Sequence, residues 1–459
     1  MTLLKLSAPT EPARRPREAW DRARTETRTL VHWGTAHGVP RMALRTSARR
    51  GDLQGRLVEA GSSSDDTALW RVIEEIRRDG PLHRSRLAHV TVDHAVVKEV
   101  LTSPDFGAGM PGRTDGWLAR LADWSTSGAV SPVEPPSLLV TEPPDHTRYR
   151  KLVTRVFTAR AVERLRERTE QIATELLDAM DGADDVDLVA SYCSLLPVTV
   201  IAEILGVPPE ERERVLSMGT AAAASLDVGL PWRQFRSVDS ALSQFDAWLD
   251  GHLDKLRRNP GDNLLSQLVA VRDEGTGLTD TELKSTAGLV LAAGFETTVN
   301  LLGNGVALLR EHPDQLERLR REPQLWPNAV EEVLRVDPPV LLTGRVCVRD
   351  TTVAGVPVHE GGLVTTVLAG ANRDPQVFAD PTRFDVAREN ARDHIAFSAG
   401  RHHCLGASLA RMEGAVGLRA LFDRYPDLAL EPGAHRRSTR ILRGYEVLPA
   451  RLHGSRTPA

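Results

Sequence analysis

The sequence predicts a mainly α-helical fold with a minor β region. Apolar residues recur at helical spacing through most of residues 66–272, and a long apolar helix is predicted over residues 279–312. Short β-rich segments occur at residues 82–92 and 345–367. At 459 residues, the chain is long enough to form either two domains or one large single-domain fold.

The composition is that of an ordinary globular enzyme. Hydrophobic residues make up 41% and charged residues 26% of the chain, and the net charge of −4 argues against a nucleic-acid partner. The three cysteines (Cys193, Cys347 and Cys404) are far apart, which predicts a reducing compartment and no disulfide framework. No run approaches the ~18 apolar residues of a membrane span, and the N-terminus lacks an apolar signal core. We therefore expect a cytoplasmic protein.

The chain divides into two predicted regions. Residues 1–65 form an N-terminal extension that we expect to be partly disordered, because its first part is polar, contains many Pro and Arg residues and has no clear period. Residues 66–459 form the main domain, which contains no internal repeat. Within it, residues 107–140 carry many Gly, Pro and Ser residues and predict a long functional loop.

The long helix over residues 279–312 carries an unusual polar insertion. Thr279 and Glu282 form a predicted capping box at its start, and its near all-round hydrophobicity predicts a path through the core. In its middle, Glu296 and Thr297 follow small residues that leave room for a ligand against the backbone. The Thr297 hydroxyl can bond the carbonyl four residues back and bend the helix. A helix-packing notch with a solvated Glu is the alternative.

Residues 397–406 place a cysteine at the end of a turn, just before a predicted helix. A thiol at a helix N-terminus faces unpaired N–H groups and the positive end of the helix dipole, both of which favour the thiolate. Arg401 and His402 add positive charge beside Cys404. Such a thiolate suits one axial position of a haem iron. The alternatives are a buried small hydrophobic residue and a zinc site. Zinc fits poorly because adjacent side chains cannot easily converge on one tetrahedral ion.

Two further pairs of residues lie at helical spacing. Glu332 and Arg335 are three apart on one predicted helix face and can pair, although such pairs are common on protein surfaces. His146 and Arg150 are four apart and could hold a carboxylate or a phosphate between them. A basic solvated face is the alternative for this second pair.

Together, these segments resemble the cytochrome P-450 family, particularly its soluble bacterial members, from residue 66 to residue 450. The resemblance implies the cytochrome P-450 fold and a haem b cofactor (iron protoporphyrin IX), with Cys404 as the axial thiolate ligand. Ser398 stands where the family usually has Gly. The resemblance also implies roles for other residues: haem-propionate contacts for His146, Arg150, Arg345 and His402, proton delivery during oxygen activation for Glu296 and Thr297, and a buried structural triad of Glu332, Arg335 and Arg383.

The same resemblance implies a monooxygenase that inserts one oxygen atom of O2 into an apolar small molecule by hydroxylation or epoxidation. We expect the electrons to come from an external ferredoxin and its NAD(P)H-dependent reductase, because the chain encodes no flavin domain and has too few cysteines for an iron–sulfur cluster. Oxidative coupling, peroxygenase activity with peroxide as oxidant, and a non-catalytic haem sensor are the alternatives.

Two residue sets are expected to contact the partner and the substrate. A basic patch for an acidic electron donor is predicted at Lys151, Arg155, Arg401, His403 and Arg411. The predicted substrate pocket is apolar and combines the loop at residues 107–140 with Leu289, Ala292, Ala293, Val340, Leu341 and Leu342.

Overall fold

Helices make up most of the computed structural model, which describes residues 14–63, 66–108, 124–125, 131–154, 157–261, 263–273 and 277–453. The helices of the first half are α1 (Arg14–Trp33), α2 (Val39–Arg49), α3 (Leu53–Gly61), α4 (Asp66–Asp79), α5 (His94–Thr102), α6 (Asp145–Thr154), α7 (Ala159–Met180), α8 (Leu195–Ile204), α9 (Arg212–Ala223), α10 (Trp232–Arg258) and α11 (Leu264–Asp273). They are followed by α12 (Asp280–Glu311), α13 (Pro313–Arg321), α14 (Trp326–Val336), α15 (Leu368–Ala371) and α16 (Ala407–Arg424).

The strands are short and form small sheets. They are β1 (His83–Arg84), β2 (His89–Thr91), β3 (Phe106–Gly107), β4 (Asp185–Asp187), β5 (Thr343–Cys347), β6 (Thr351–Val353), β7 (Val356–Val358), β8 (Leu363–Thr366), β9 (Ala429–Leu430), β10 (His435–Arg436), β11 (Tyr445–Val447) and β12 (Pro449–Arg451). The largest sheet has the order β1-β2-β8-β5-β3, in which only the β2–β8 pair is parallel. The prediction of a mainly α fold with a minor β region is confirmed.

Helix α12 forms the centre of the fold. Its N-cap is Thr279, and both hydrogen bonds of the predicted capping box with Glu282 are present. Most of its residues are buried, because it packs against α8, α9, α14 and α16. The predicted path through the core is therefore confirmed. Within the described ranges, no helix has both the length and the apolar character needed to cross a membrane.

The predicted N-terminal extension contains helices in its described part. Residues 1–13 lie outside the described residues, but α1, α2 and α3 are helical and pack on the rest of the protein. The Trp33 indole Nε1 donates to the Leu230 carbonyl at 2.9 Å. Leu57 is fully buried in one apolar cluster with Leu69. A few large apolar anchors thus hold a segment whose average composition is polar.

The predicted long loop at residues 107–140 falls largely outside the described residues, because residues 109–123 and 126–130 are not among them. Within its described part, the Trp124 carbonyl accepts a hydrogen bond of 2.9 Å from Arg28 of α1. This bond connects the loop to the N-terminal helices.

Candidate active site

The cysteine loop reaches α16 through a tight turn. Cys404 follows a single 3₁₀ turn, and its backbone N–H donates to the Phe397 carbonyl at 2.9 Å. Gly400 has a φ of 69°, and a Cβ at this position would meet the Leu101 carbonyl oxygen at 2.5 Å. This position therefore requires glycine. Ser398 also has a positive φ, of 62°, which is unusual for a residue with a side chain.

The Cys404 thiol is accessible but surrounded by protein atoms. Burial raises the pKa of Cys404, whereas the Gly406 N–H and the charges of Arg150 and Arg411 act to lower it. The helix N-terminus and the nearby cations therefore act in the predicted direction, but desolvation outweighs them. Because a metal ion deprotonates a coordinating thiol outright, this environment suits a thiolate whose charge an iron ion balances.

The structure brings all four predicted propionate contacts to the cysteine loop. The imidazole rings of His146 and His402 have centroids 4.4 Å apart. Arg150 donates to the backbone carbonyl of His403 at 2.7 Å. The buried Arg345 side chain reaches the loop on another side, where its Nη2 lies 3.4 Å from the Ser398 hydroxyl oxygen.

The chemistry of this group fits a cofactor with carboxylate substituents. His146 is 2% exposed, and its Nε2 has no hydrogen-bond partner. Burial, followed by the charges of His402 and Arg150, lowers the pKa of His146 to about 4, so the imidazole is neutral at pH 7. Burial lowers the pKa of Arg345 to about 10, which leaves it charged. The buried cation of Arg345 and the unpartnered imidazole of His146 suit the two propionates of haem. The Cys404 thiol suits its iron.

Sequence reasoning missed Glu142. Its Oε2 lies 2.8 Å from Arg401 Nη1, and its Oε1 lies 3.1 Å from His402 Nε2. Burial alone would raise the pKa of Glu142, but the hydrogen bonds from His402 and the Ala108 N–H, with nearby positive charge, lower it to about 2. Glu142 therefore fixes the orientation of two side chains of the cysteine loop. Its position just before Pro143 and the predicted His146 helix was the available signal.

Glu296 and Thr297 of α12 differ in their exposure and in their partners. Thr297 is partly exposed, and its hydroxyl donates to the Ala293 carbonyl at 2.8 Å, as predicted. Glu296 is 3% exposed, and its Oε1 lies 3.0 Å from Arg437 Nε while its Oε2 has no hydrogen-bond partner. Burial raises the pKa of Glu296 against the opposing charge of Arg437. Arg437 was missed because no pattern in the sequence connects it with α12.

A narrow accessible stripe follows α12 through the core. Leu289, Ala293, Gly294 and Thr297 are partly exposed, although most of the helix around them is buried. Their spacing places them on one helix face. The stripe contains two of the predicted pocket residues and the predicted catalytic alcohol.

The other predicted pocket residues are less accessible. Ala292 and Leu341 are each 1% exposed, and Leu342 is 7% exposed. Leu341 and Leu342 fill a core cluster with Leu57 and other apolar side chains, so the core interpretation fits them better than substrate contact. Val340 is partly exposed and, like Leu289 and Ala293, stays a candidate.

The predicted structural triad contains one wrong member. Glu332 and Arg335 are fully buried and form a bidentate pair, with Arg335 Nε 2.7 Å from Glu332 Oε2 and Nη2 2.8 Å from Oε1. The third partner is Arg388, whose Nε lies 3.1 Å from Glu332 Oε1. The Arg383 side chain is 63% exposed and faces Asp385. Only the Arg383 carbonyl takes part, because it accepts hydrogen bonds from Arg335 and Arg388.

The predicted basic patch is partly neutralised. Lys151 is exposed, but Arg401 pairs with Glu142, and Arg411 pairs with Glu331 at 3.0 Å. Arg155 lies outside the described residues.

Comparison with known proteins identifies similar sequences and structures. A family model described as Cytochrome P450 matches residues 230–434. A putative cytochrome P450 140 of Mycobacterium tuberculosis is 50% identical over 436 residues, which cover 93% of this chain and 98% of the relative. The 6-deoxyerythronolide B hydroxylase of Saccharopolyspora erythraea is 43% identical, with 68% and 77% covered. A crystal structure of P450BioI with a ligated acyl carrier protein has a TM-score of 0.78 at 30% identity and covers 84% of this chain and 98% of its own.

Proposed function

This chain belongs to the cytochrome P450 family and is a haem b-dependent monooxygenase, and from this premise we propose that Cys404 is its iron ligand and that it oxygenates an apolar small molecule. The observation that carries the ligand assignment is the exposed Cys404 on a loop that the side chains of His146, Arg150 and Arg345 contact. The Cys404 sulfur would bind the iron, and His146, His402 and Arg345 would hold the propionates.

Haem with a thiolate ligand supplies oxygen activation when bound, because the thiolate pushes electron density towards iron and favours O–O cleavage. The residues of α12 supply protons in this proposal. The Thr297 hydroxyl lies on the accessible stripe, where it can donate a proton to the reacting oxygen. Burial raises the pKa of the neighbouring Glu296 and so favours its protonated form, which makes this carboxyl a candidate proton source.

We infer an apolar substrate and hydroxylation as the reaction. The accessible stripe offers the apolar side chains of Leu289 and Ala293 beside Thr297. A relative that is 43% identical is named as a hydroxylase of 6-deoxyerythronolide B. Macrolactones of this type are therefore the first compounds to test, followed by fatty acids, steroids and terpenoids.

We propose that electrons come from a ferredoxin and its NAD(P)H-dependent reductase. The exposed Lys151, next to Arg150 whose side chain contacts the cysteine loop, can attract an acidic donor. Such an interaction weakens as salt screens the charges. A reduction rate that does not fall between low and high ionic strength would contradict this docking surface. The three unpaired cysteines support the prediction of a reducing, cytoplasmic location.

The ligand assignment is tested by replacing cysteines in the haem-loaded protein. We expect the reduced wild-type protein to give the far-shifted absorption of a thiolate-ligated carbon monoxide adduct, and Cys404→Ser to lose it. Cys347→Ala is the matched control, because Cys347 is buried in another apolar cluster. A normal adduct in Cys404→Ser would disprove the assignment.

The reaction class is tested by screening the candidate compounds. A ligand that displaces water from the iron shifts the haem absorption, and a true substrate then increases NAD(P)H consumption in the presence of a ferredoxin system and yields a hydroxylated product. Binding without any substrate-dependent consumption would instead favour the sensor alternative.

A further inference from the structure

A second buried carboxylate lies next to the structural triad. Glu331 of α14 is 2% exposed and has three cationic or hydrogen-donating partners. Its Oε2 lies 3.1 Å from His394 Nε2, both of its oxygens lie 3.0 Å from Arg411 Nε, and its Oε1 lies 3.3 Å from Arg392 Nε. A buried carboxylate with this many partners holds them in fixed positions.

The partners of Glu331 border the cysteine loop. Arg411 lies two helical turns after Cys404, and its guanidinium carbon is 4.5 Å from the ring centroid of Phe397. The His394 ring contacts Phe397 as well, with centroids 5.8 Å apart. The Phe397 carbonyl accepts the backbone N–H of Cys404. The carboxylate therefore orders the side chains on which the loop rests.

The protonation of His394 follows from its hydrogen bonds. The Ala396 backbone N–H donates to His394 Nδ1 at 3.1 Å, so this nitrogen carries a lone pair. The ring proton is then on Nε2, from which it is donated to Glu331. The charge of Glu331 is balanced by Arg411 and Arg392. Of these two, Arg392 is 72% exposed and screened by water, whereas the Arg411 side chain is only 34% exposed.

We propose that Glu331 is a positioning residue that fixes Arg411 and offsets its positive charge at the Cys404 sulfur, and thereby sets the reduction potential of the haem. The Arg411 guanidinium lies over the ring of Phe397, whose carbonyl accepts the Cys404 N–H, so its positive charge acts on the loop that carries this sulfur. A carboxylate in contact with Arg411 cancels part of that effect. The proposal rests on Cys404 being the iron ligand, as proposed above.

The test measures the one-electron reduction equilibrium of the haem-loaded protein by spectroelectrochemical titration in three variants. Glu331→Gln leaves Arg411 uncompensated, and we expect it to favour the reduced form roughly tenfold, which is about 59 mV. Arg411→Gln removes the cation and should shift the equilibrium by a similar factor in the opposite direction. Arg392→Gln is the matched control, because this solvent-exposed side chain contacts the same carboxylate. We expect no change in the reduction equilibrium.

Opposite signs separate this electrostatic role from a merely structural one, because loosening of the loop would shift both variants in the same direction. Shifts of equal sign in Glu331→Gln and Arg411→Gln, or no shift in either, would overturn the proposal. If Glu331→Gln does not fold, Arg411→Gln decides alone, and an unchanged equilibrium there is sufficient to reject the idea. Failure of the wild type to form the thiolate-type carbon monoxide adduct would instead refute the ligand assignment.

Discussion

Arg437 lies 3.0 Å from Glu296, so a residue near the end of the chain places its positive charge beside an acid in the middle of the core helix. Burial raises the pKa of Glu296, and Arg437 opposes this shift. The two residues belong to segments that no short-range pattern connects. The availability of a proton beside Thr297 therefore depends on the loop between β10 and β11.

Replacement of Arg437 by Gln should raise the pKa of Glu296 further, because an opposing positive charge is lost. We expect the pH profile of product formation to move to higher pH by about one unit, within the range observed for close charge pairs. Arg437→Lys keeps the charge and should retain the wild-type profile. Identical profiles for the Gln variant and the wild type would show that the ion pair does not set the protonation of Glu296.

Replacement of Thr297 by Ala should reduce the product formed per NAD(P)H consumed and increase hydrogen peroxide release. The reason is that the hydroxyl on the accessible stripe positions the proton, a contribution of about 10²-fold or more in comparable cases. Substrate binding and the carbon monoxide spectrum should stay unchanged. Thr286→Ala is the control, because its hydroxyl makes the same bond to the carbonyl four residues back, at 2.8 Å. Unchanged coupling in Thr297→Ala would remove this residue from the proton path.

Replacement of Arg388 by Gln should lower the free energy of unfolding by about 3 kcal/mol, the low end for a broken buried ion pair, because Arg335 still neutralises Glu332. Arg383→Gln should change it by no more than about 0.5 kcal/mol, since this side chain is 63% exposed. Denaturant unfolding of both haem-loaded variants provides the comparison. Equal losses, or a larger loss for Arg383→Gln, would contradict the assignment of Arg388 to the triad.

Glu413 of α16 predicts a dependence of stability on pH. Burial raises its pKa well above the ordinary value, against a hydrogen bond with Thr298, and its Oε1 has no hydrogen-bond partner. The folded protein therefore holds a proton that the unfolded chain has released above about pH 4.3. Stability is full below that pH and falls as the pH rises towards the folded pKa, with a slope of about 1.4 kcal/mol per unit for one proton.

Glu413→Gln mimics the protonated acid at every pH. Its unfolding free energy should decrease less steeply with pH than that of the wild type, by the slope of one proton, and the variant should be the more stable protein at pH 8. Chemical denaturation between pH 5 and pH 8 measures the two slopes. Parallel curves would mean that Glu413 ionises in the folded protein as freely as in the unfolded chain.

The sequence predicted the parts of the site that lie on regular helices or next to them. Residues three or four apart lie on one face of an α-helix. The pairs Glu332–Arg335 and His146–Arg150 do lie on helices in the structure. Likewise, the Thr279 capping box is a local feature that needs no tertiary context. The predicted position of Cys404, just before α16, also depended on a local feature, the residues that form the turn.

The predictions from sequence were wrong where tertiary contacts determine which of two residues of the same type takes part. Arg383 and Arg388 lie in one irregular segment, and the chain direction after Asp380 (φ of 45°) decides which guanidinium reaches Glu332. The N-terminal helices have a polar sequence because only a few large apolar residues, such as Trp33, attach them to the rest of the protein. Glu142 and Arg437 act on distant partners; only the position of Glu142 before Pro143 and the His146 helix offered a local signal, and Arg437 had none.

At position 398, folding stability favours glycine, whereas the placement of the Arg345 guanidinium favours serine. A side chain at a φ of 62° carries a conformational cost of about 1 kcal/mol that glycine would avoid. With glycine, however, the guanidinium of Arg345 would lose the hydroxyl that it approaches at 3.4 Å. A protein engineered only to resist heat would replace this serine, and it would surrender one of the restraints on the cation that we assign to a propionate.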